Sequence, residues 1–162
     1  MKKLTTALLA AGLMSATFAA QAQEGPITGN VTLTTDYIYR GVSQTSGGPA
    51  IQGGFNWAGE SGFYLGTWAS SITFDDSIEI DYFGGFTGDL TEEVGYDVGF
   101  LYYDYPGASS DDFLELYGKL IYGSLIGTIN YSDDFFAGVG PAMYYTLDYG
   151  FSLGNDVSLG LH

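Results

Sequence analysis

The charged residues that could do chemistry share one face of a repeating two-residue pattern. Where apolar and polar residues alternate, the acidic side chains fall with Gly, Thr and Asn, opposite Tyr, Leu, Ile and Val. We expect this face to line a wet interior, with the two cations in ion pairs, because isolated charges in a confined space are costly. The predicted interior charges are Asp36, Arg40, Glu79, Asp81, Asp97, Glu115, Lys119 and Asp148. They would form either a cation-preferring constriction or a plug of ion pairs, since small barrels can be filled by their own side chains.

A second group of acids occurs as adjacent pairs between the alternating segments. These pairs are Asp75 with Asp76, Asp111 with Asp112, and Asp133 with Asp134. They are either solvated loop charges or an acidic extracellular rim that concentrates cations or binds divalent ions bridging to lipopolysaccharide. Glu92 and Glu93 fall at the opposite rim, which argues against acidity marking one mouth only.

Catalytic signatures are missing from the sequence. His162 is its one histidine and it has no cysteine, so a His/Cys metal site is excluded and a Ser-His-Asp triad lacks its base. The glycines fit neither of two nucleotide-binding patterns, GxGxxG and GxxxxGK. The sequence therefore predicts no catalytic residue, no metal and no cofactor, and a protein that is not an enzyme.

Composition narrows the class of protein further. The chain has 19 acidic and four basic residues, a net charge of −15, which repels phosphates and argues against a nucleic-acid partner. Fourteen Tyr and eleven Phe argue against disorder. Without disulfides, an exported chain needs a substantial core, or a membrane in place of one.

The N-terminus resembles an export signal. Lys2 and Lys3 precede an apolar stretch over 4–20, and Ala20 and Ala22 supply the small residues of a cleavage site. A retained transmembrane helix is disfavoured, because Thr and Ser dilute the stretch and polar residues follow it at once. We predict a signal peptide over 1–22, cleaved after Ala22, and one domain over 23–162.

The rest of the chain alternates with the period of β-strands, in runs separated by Gly, Asp, Ser or Pro. About nine strands are predicted from this pattern. They cover 30–40, 50–57, 62–71, 77–87, 94–103, 112–122, 124–131 and 142–151, with a ninth starting near 156. Bacterial outer-membrane barrels close with an even number of strands, so we expect further C-terminal strands to be missing.

Period two alone also suits a soluble sandwich. Strand lengths near the ~9–11 residues that cross a bilayer, aromatic residues at strand ends, and a polar face poor in Lys favour a membrane barrel. The predicted fold is an all-β, antiparallel up-and-down transmembrane β-barrel in a bacterial outer membrane, in contact with lipid and lipopolysaccharide. With the N-terminus in the periplasm, the longer connections (41–49, 72–76, 104–111 and 132–141) would be extracellular.

The chain resembles a known family from about residue 29 to its end, most clearly in four blocks. It is similar to the TorF family of porin-like proteins, also labelled Gcw_chp, a group of conserved hypothetical outer-membrane proteins of proteobacteria. The similar blocks are DYIYRGVSQT at 36–45, PAIQGGF at 49–55, GFYLGTWASS at 62–71 and EID at 79–81. The resemblance implies an outer-membrane barrel with passive transport and no established substrate or catalytic residue. Family members run on for several more strands, in line with the expected missing strands.

Two functions follow as expectations. The first is a passive channel for small polar solutes or cations. The second is a closed structural or adhesive barrel whose extracellular loops bind a partner. Conductance in a planar bilayer separates the two.

Overall fold

The protein is all-β in a computed structural model that describes residues 18–24, 26–74, 78–136, 138–154 and 157–162. Twelve strands are described, together with a 3₁₀ turn at Ser109–Asp111. The strands are β1 Phe18–Glu24, β2 Ile27–Thr34, β3 Ile38–Tyr39, β4 Val42–Ser43, β5 Ala50–Ala58, β6 Phe63–Ser71, β7 Ile78–Asp89, β8 Val94–Asp104, β9 Phe113–Tyr122, β10 Leu125–Ser132, β11 Ala142–Gly154 and β12 Val157–Leu161.

Ten of these strands form one antiparallel sheet in the order β1-β2-β5-β6-β7-β8-β9-β10-β11-β12. The nine strands expected from the sequence correspond to β2 and β5 to β12, so the antiparallel up-and-down order is confirmed. Among the described strands, β1 pairs only with β2 and β12 only with β11, so closure of the sheet into a barrel is not seen.

The strand β1 includes the end of the predicted signal peptide. Phe18 lies opposite Leu33 and Glu24 opposite Ile27 in its pairing with β2. Residues 1–17 lie outside the described residues. Cleavage after Ala22 stays a prediction.

The alternation of the sequence becomes two unlike faces of the sheet. In β7, Glu79 and Asp81 are buried, whereas Ile78 and Tyr82 are exposed. We call the face that carries Glu79 the inner face and the opposite one the outer face. Tyr64 of β6 hydrogen-bonds to Tyr117 of β9 on the inner face. In a flat sheet β6 and β9 would be about 14 Å apart, because three strand spacings separate them. A direct hydrogen bond between their side chains therefore requires the sheet to curve towards the inner face.

The expected first strand, 30–40, is wrong in its second half. β2 ends at Thr34, and Asp36 and Arg40 lie in a connection over 35–49 that we call the inner segment. Arg40 and Gly41 have φ of 47° and 86°, which form the tight turn between β3 and β4. Positive φ at two successive residues cannot continue a strand.

The other connections differ in length between the two ends of the sheet. The described strands are joined at one end by 59–62, 90–93 and 123–124, and at the other by 35–49, 105–112 and 133–141. The connection over 72–77 is described only to residue 74. This asymmetry of short turns and long loops is as predicted.

Gly62 gives a prediction at the short-turn end. Its φ is 91°, and a Cβ there would strike the carbonyl oxygen of Thr87. We expect Gly62→Ala to lower the free energy of unfolding by about 1–3 kcal/mol, because the new side chain is strained and the backbone must move. Urea unfolding of the refolded chain measures this. Gly127→Ala, where a Cβ meets no atom within 4 Å, is the matched control and should be nearly neutral.

Candidate functional site

The inner face gathers the charges that the sequence singled out. Glu79 and Asp81 lie there on β7, Asp97 on β8, and Glu115 and Lys119 on β9. Asp148 takes the same face on β11, where its Oδ1 lies 2.6 Å from Nδ1 of His162, a contact that the sequence did not indicate. Arg40 reaches the site from the inner segment instead of from a strand, whereas Asp36 stays within that segment.

Arg40 ties the inner segment to the sheet. Its two terminal nitrogens donate to the two carboxylate oxygens of Glu115, each at 2.7 Å. The guanidinium also lies 4.2 Å from the ring centroid of Tyr144 and 4.8 Å from that of Tyr39. The Glu115 side chain is 3% exposed and that of Arg40 is 18% exposed. A two-pronged, largely desolvated ion pair of this kind fixes position as well as charge.

Tyr37 provides a second anchor for the inner segment. Its hydroxyl donates to Glu79 Oε1 at 2.7 Å, and its ring packs edge-on against Trp68 at 5.3 Å. Tyr105 donates to the other oxygen of Glu79 at 2.9 Å. Burial, followed by the charge of Glu79, raises the pKa of both Tyr37 and Tyr105. Both hydroxyls therefore remain protonated donors, as a buried carboxylate requires.

Asp36 organises the inner segment locally. Its Oδ1 accepts hydrogen bonds from Ser43 Oγ at 2.6 Å and Thr45 Oγ1 at 2.8 Å. These hydroxyl donors, Ser43 first, lower the pKa of Asp36 below its usual 3.8. The sequence placed Asp36 among the interior charges, but its partners belong to its own loop.

The lowered pKa of Asp36 predicts how the inner segment responds to acid. A carboxyl with a lowered folded pKa contributes stability that is present above its unfolded pKa and is lost as pH falls through the folded value. We therefore expect the Tyr37 amide, which donates to Thr45 Oγ1, to lose hydrogen-exchange protection below about pH 3.8. Asp36→Asn should lose that protection already at neutral pH. Unchanged exchange in this variant would contradict the assignment.

A second cluster of polar side chains surrounds Asp97 on the inner face. Asp97 accepts hydrogen bonds from the hydroxyls of Tyr64 and Tyr117, and Lys119 Nζ lies 3.3 Å from its Oδ2. The Lys119 side chain is 33% exposed. The two cations of the predicted interior set thus pair with different acids, Arg40 with Glu115 and Lys119 with Asp97.

Asp81 differs from the other inner-face acids. It is 7% exposed, yet its Oδ1 accepts no hydrogen bond from any described residue. The other buried side-chain atom without a partner in the described ranges is Ser132 Oγ.

The predicted acidic rim is only partly gathered. Asp75 and Asp76 lie outside the described residues. Asp112 is engaged in its own loop, accepting from the Tyr105 backbone N–H at 2.8 Å and the Tyr102 hydroxyl at 3.1 Å. Ser110 donates to Asp111 at 3.2 Å, and Asp133 and Asp134 are exposed.

An aromatic cluster at the long-loop end was missed by the sequence analysis. Its buried members are Ile72, Tyr103, Tyr105 and Phe113, with Tyr37, Tyr39, Phe74, Leu101, Ala108, Phe135 and Phe136 packed around them. These residues come from four connections and two strands. The signal available was the density of Phe and Tyr in loops where polar residues are usual.

Within the described ranges, no group of three or more His, Cys, Asp or Glu side chains is placed to hold one metal ion. No helix found in those ranges is long and apolar enough to cross a membrane.

Comparison with known proteins gives one match. Neither the curated proteins nor the solved structures contain a match to this chain. The family described as "Bacterial protein of unknown function (Gcw_chp)" matches residues 19–160, most of the chain. The match includes the inner segment and every inner-face charge named above, and the chain belongs to the Gcw_chp family.

Proposed function

We propose that this chain forms a bacterial outer-membrane β-barrel that passes small polar solutes or cations by diffusion. In this proposal the outer face contacts lipid and lipopolysaccharide, and the inner face lines an aqueous lumen. The short turns face the periplasm, and the inner segment and long loops lie at the extracellular side.

The observation that carries the proposal is the inverted distribution of polar and apolar side chains. The outer face exposes large apolar side chains along almost every strand, including Leu33, Phe55, Leu65, Tyr82, Phe100, Leu116, Ile129, Leu147 and Leu159. Glu79, Asp97 and Glu115 are buried on the other face. Soluble proteins rarely expose contiguous apolar patches of this kind, whereas membrane barrels alternate apolar residues outside with polar residues inside.

Aromatic residues of the outer face add a second argument. At the short-turn end, exposed rings include Trp57, Phe63 and Tyr122, and at the long-loop end Tyr102 and Tyr131. Such rings are the expected girdles at the two membrane interfaces.

The inner segment supplies the constriction of the proposed channel. It lies across the inner face, with Tyr37 bonded to β7 and Arg40 bonded to β9. The lumen beside these anchors carries more acid than base, which favours cations over anions.

Two experiments test the proposal. The full chain, expressed with its own N-terminus, should fractionate with the outer membrane. Purified and refolded, it should show heat-modifiable migration and discrete conductance steps in a planar bilayer, with a reversal potential that indicates cation preference in a salt gradient. A soluble periplasmic product would contradict membrane residence.

Replacing Asp111, Asp112, Asp133 and Asp134 together by Asn tests the rim, and an unchanged reversal potential would reject an acidic vestibule.

A closed barrel that binds a partner through its loops is the second candidate. The aromatic cluster favours a closed barrel, because rings from different loops pack together and would cover the long-loop end. The rings in contact are Phe74, Tyr105, Phe113 and Phe136. A folded, heat-modifiable barrel without conductance would favour this candidate over the channel.

A further inference from the structure

The guanidinium of Arg40 fills a small cage on the inner face. Its two terminal nitrogens donate to Glu115 of β9, each at 2.7 Å. Its central carbon lies 4.2 Å from the ring centroid of Tyr144 on β11 and 5.9 Å from that of Phe135 in the loop over 133–141. We call Glu115, Tyr144 and Phe135 the cage. A carboxylate that meets the planar fork and a ring that meets the flat face are the groups that recognise a guanidinium.

The cage holds the tip of the inner segment, whereas the two ends of that segment have anchors of their own. The tip is the turn formed by β3 and β4. Before it, Tyr37 donates to Glu79 Oε1 at 2.7 Å. After it, the carbonyl oxygen of Gln44 accepts from the backbone N–H of Thr73 at 3.0 Å. The tip can therefore leave β9 at Arg40 while both ends of the inner segment stay in place.

The pair between Arg40 and Glu115 is suited to exchange. Arg40 has φ of 47°, a left-handed conformation in which a long side chain is strained, and its side chain is 18% exposed, so solvent reaches it. Glu115 keeps a second donor, the Tyr103 hydroxyl, 3.4 Å from its Oε2. Departure of Arg40 alone would leave a desolvated carboxylate without its cation, which is costly. A second guanidinium removes that penalty, because it restores both hydrogen bonds.

We propose that solutes bearing a guanidinium group bind in the cage by displacing Arg40, and that this exchange frees the tip of the inner segment. The bound group donates to both oxygens of Glu115 and stacks on Tyr144, as the Arg40 guanidinium does. An alkylammonium of the same charge has no planar fork and gains less from the cage. The proposal deepens the channel by naming its solute class, and it rests on that channel for the route by which the solute arrives.

Arg40 is the one arginine of the sequence, which provides a direct readout. The full chain, labelled with ¹⁵N-arginine and refolded in detergent, is titrated with millimolar ethylguanidinium chloride at constant ionic strength. We expect the side-chain resonance of the paired Arg40 to disappear saturably and that of a free guanidinium to replace it. Ethylammonium chloride is the matched probe and should act about tenfold more weakly or less. A resonance unaffected by ethylguanidinium, or lost only together with the heat-modifiable folded band, would overturn the proposal.

Arg40→Ala empties the cage and tests its chemistry by rescue. Ethylguanidinium should raise the midpoint of urea unfolding of this variant saturably, because a ligand that binds only the folded state stabilises it. Adding Glu115→Gln should weaken the apparent affinity about tenfold or more, a change of at least about 1.4 kcal/mol. Glu92→Gln in the same background is the matched control, because Glu92 is exposed in the short turn over 90–93, and the rescue should be kept. Equal affinities with and without the Glu115 charge would refute the cage.

Bilayer recording on the parent protein separates the cage from the channel. Ethylguanidinium should raise the single-channel conductance several-fold relative to ethylammonium at the same concentration, because displacement of Arg40 frees the tip. Displacement of Arg40 with an unchanged conductance would overturn the release of the tip. Displacement without any bilayer current would keep the cage and reject the channel, whereas current without displacement would do the opposite.

Discussion

Arg40→Met is expected to widen the proposed channel and destabilise the protein together. The substitution keeps an unbranched side chain but removes the guanidinium, which leaves Glu115, 3% exposed, without its cation. Breaking one partner of a buried ion pair is strongly destabilising because the other charge stays desolvated. Since Arg40 is 18% exposed, we expect a loss near the lower limit of such cases, about 3 kcal/mol. The single-channel conductance should rise several-fold, because β9 no longer holds the tip of the inner segment.

A double variant separates the two effects of the Arg40 pair. Arg40→Met with Glu115→Leu removes both charges, so much of the lost stability should return while the higher conductance remains. Lys119→Met is the matched control, because its pair with Asp97 is longer and more exposed and joins β9 to β8 rather than to the inner segment. Urea unfolding and bilayer recording provide the two readouts. If Arg40→Met has the same conductance as the parent protein, the inner segment is not the constriction.

Leu116→Lys is expected to block stable insertion into lipid. Leu116 is 55% exposed on the outer face of β9. If that face meets acyl chains, a lysine near the bilayer midplane costs about 2–4 kcal/mol. The free energy of unfolding from vesicles should fall by that amount. The folded fraction, measured as the heat-modifiable band on a gel, should decrease.

The control for Leu116→Lys lies on the inner face. Asn130→Lys, on β10, places the same charge on the inner face between Tyr117 and Tyr144, where it meets no acyl chain, so folding should change much less than in Leu116→Lys. In a water-soluble sandwich the pattern would reverse, because an exposed leucine is then replaced at no cost. Insertion of Leu116→Lys as efficient as that of the parent protein would contradict lipid contact on the outer face.

The strands could be predicted because apolar and polar residues alternate along each long strand, as its two faces meet different environments. In β9, Leu114, Leu116 and Leu120 stand opposite Glu115 and Lys119, and the structure keeps that division. Backbone pairing between successive strands then follows from short turns.

The inner segment could not be predicted from the same pattern. Asp36, Tyr37, Tyr39 and Arg40 continue the alternation of β2, so local periodicity extends the strand through them. The turn depends on Arg40 and Gly41 adopting positive φ and on a partner, Glu115, 75 residues away in sequence. Local patterns carry no information about contacts at that separation.

The pairing of the interior charges was equally hidden. The sequence indicated that two cations would pair among six acids, but not which acids they would choose. The path of Arg40 leads it to Glu115, and Asp81 Oδ1 accepts no hydrogen bond from the described residues. The aromatic cluster has the same origin, because Phe74 and Phe136 meet through loops whose path no strand pattern determines.

The most direct test of the account compares adjacent positions of one strand by quenching. In a background of Trp57→Phe and Trp68→Phe, single reporters are introduced on β9 by Leu116→Trp and Tyr117→Trp, which lie on opposite faces. In vesicles with brominated acyl chains, we predict strong quenching of the Leu116→Trp reporter by lipid and little by aqueous iodide, with weak lipid quenching of the Tyr117→Trp reporter. Equal quenching of both by iodide, with none by brominated lipid, would contradict a membrane barrel.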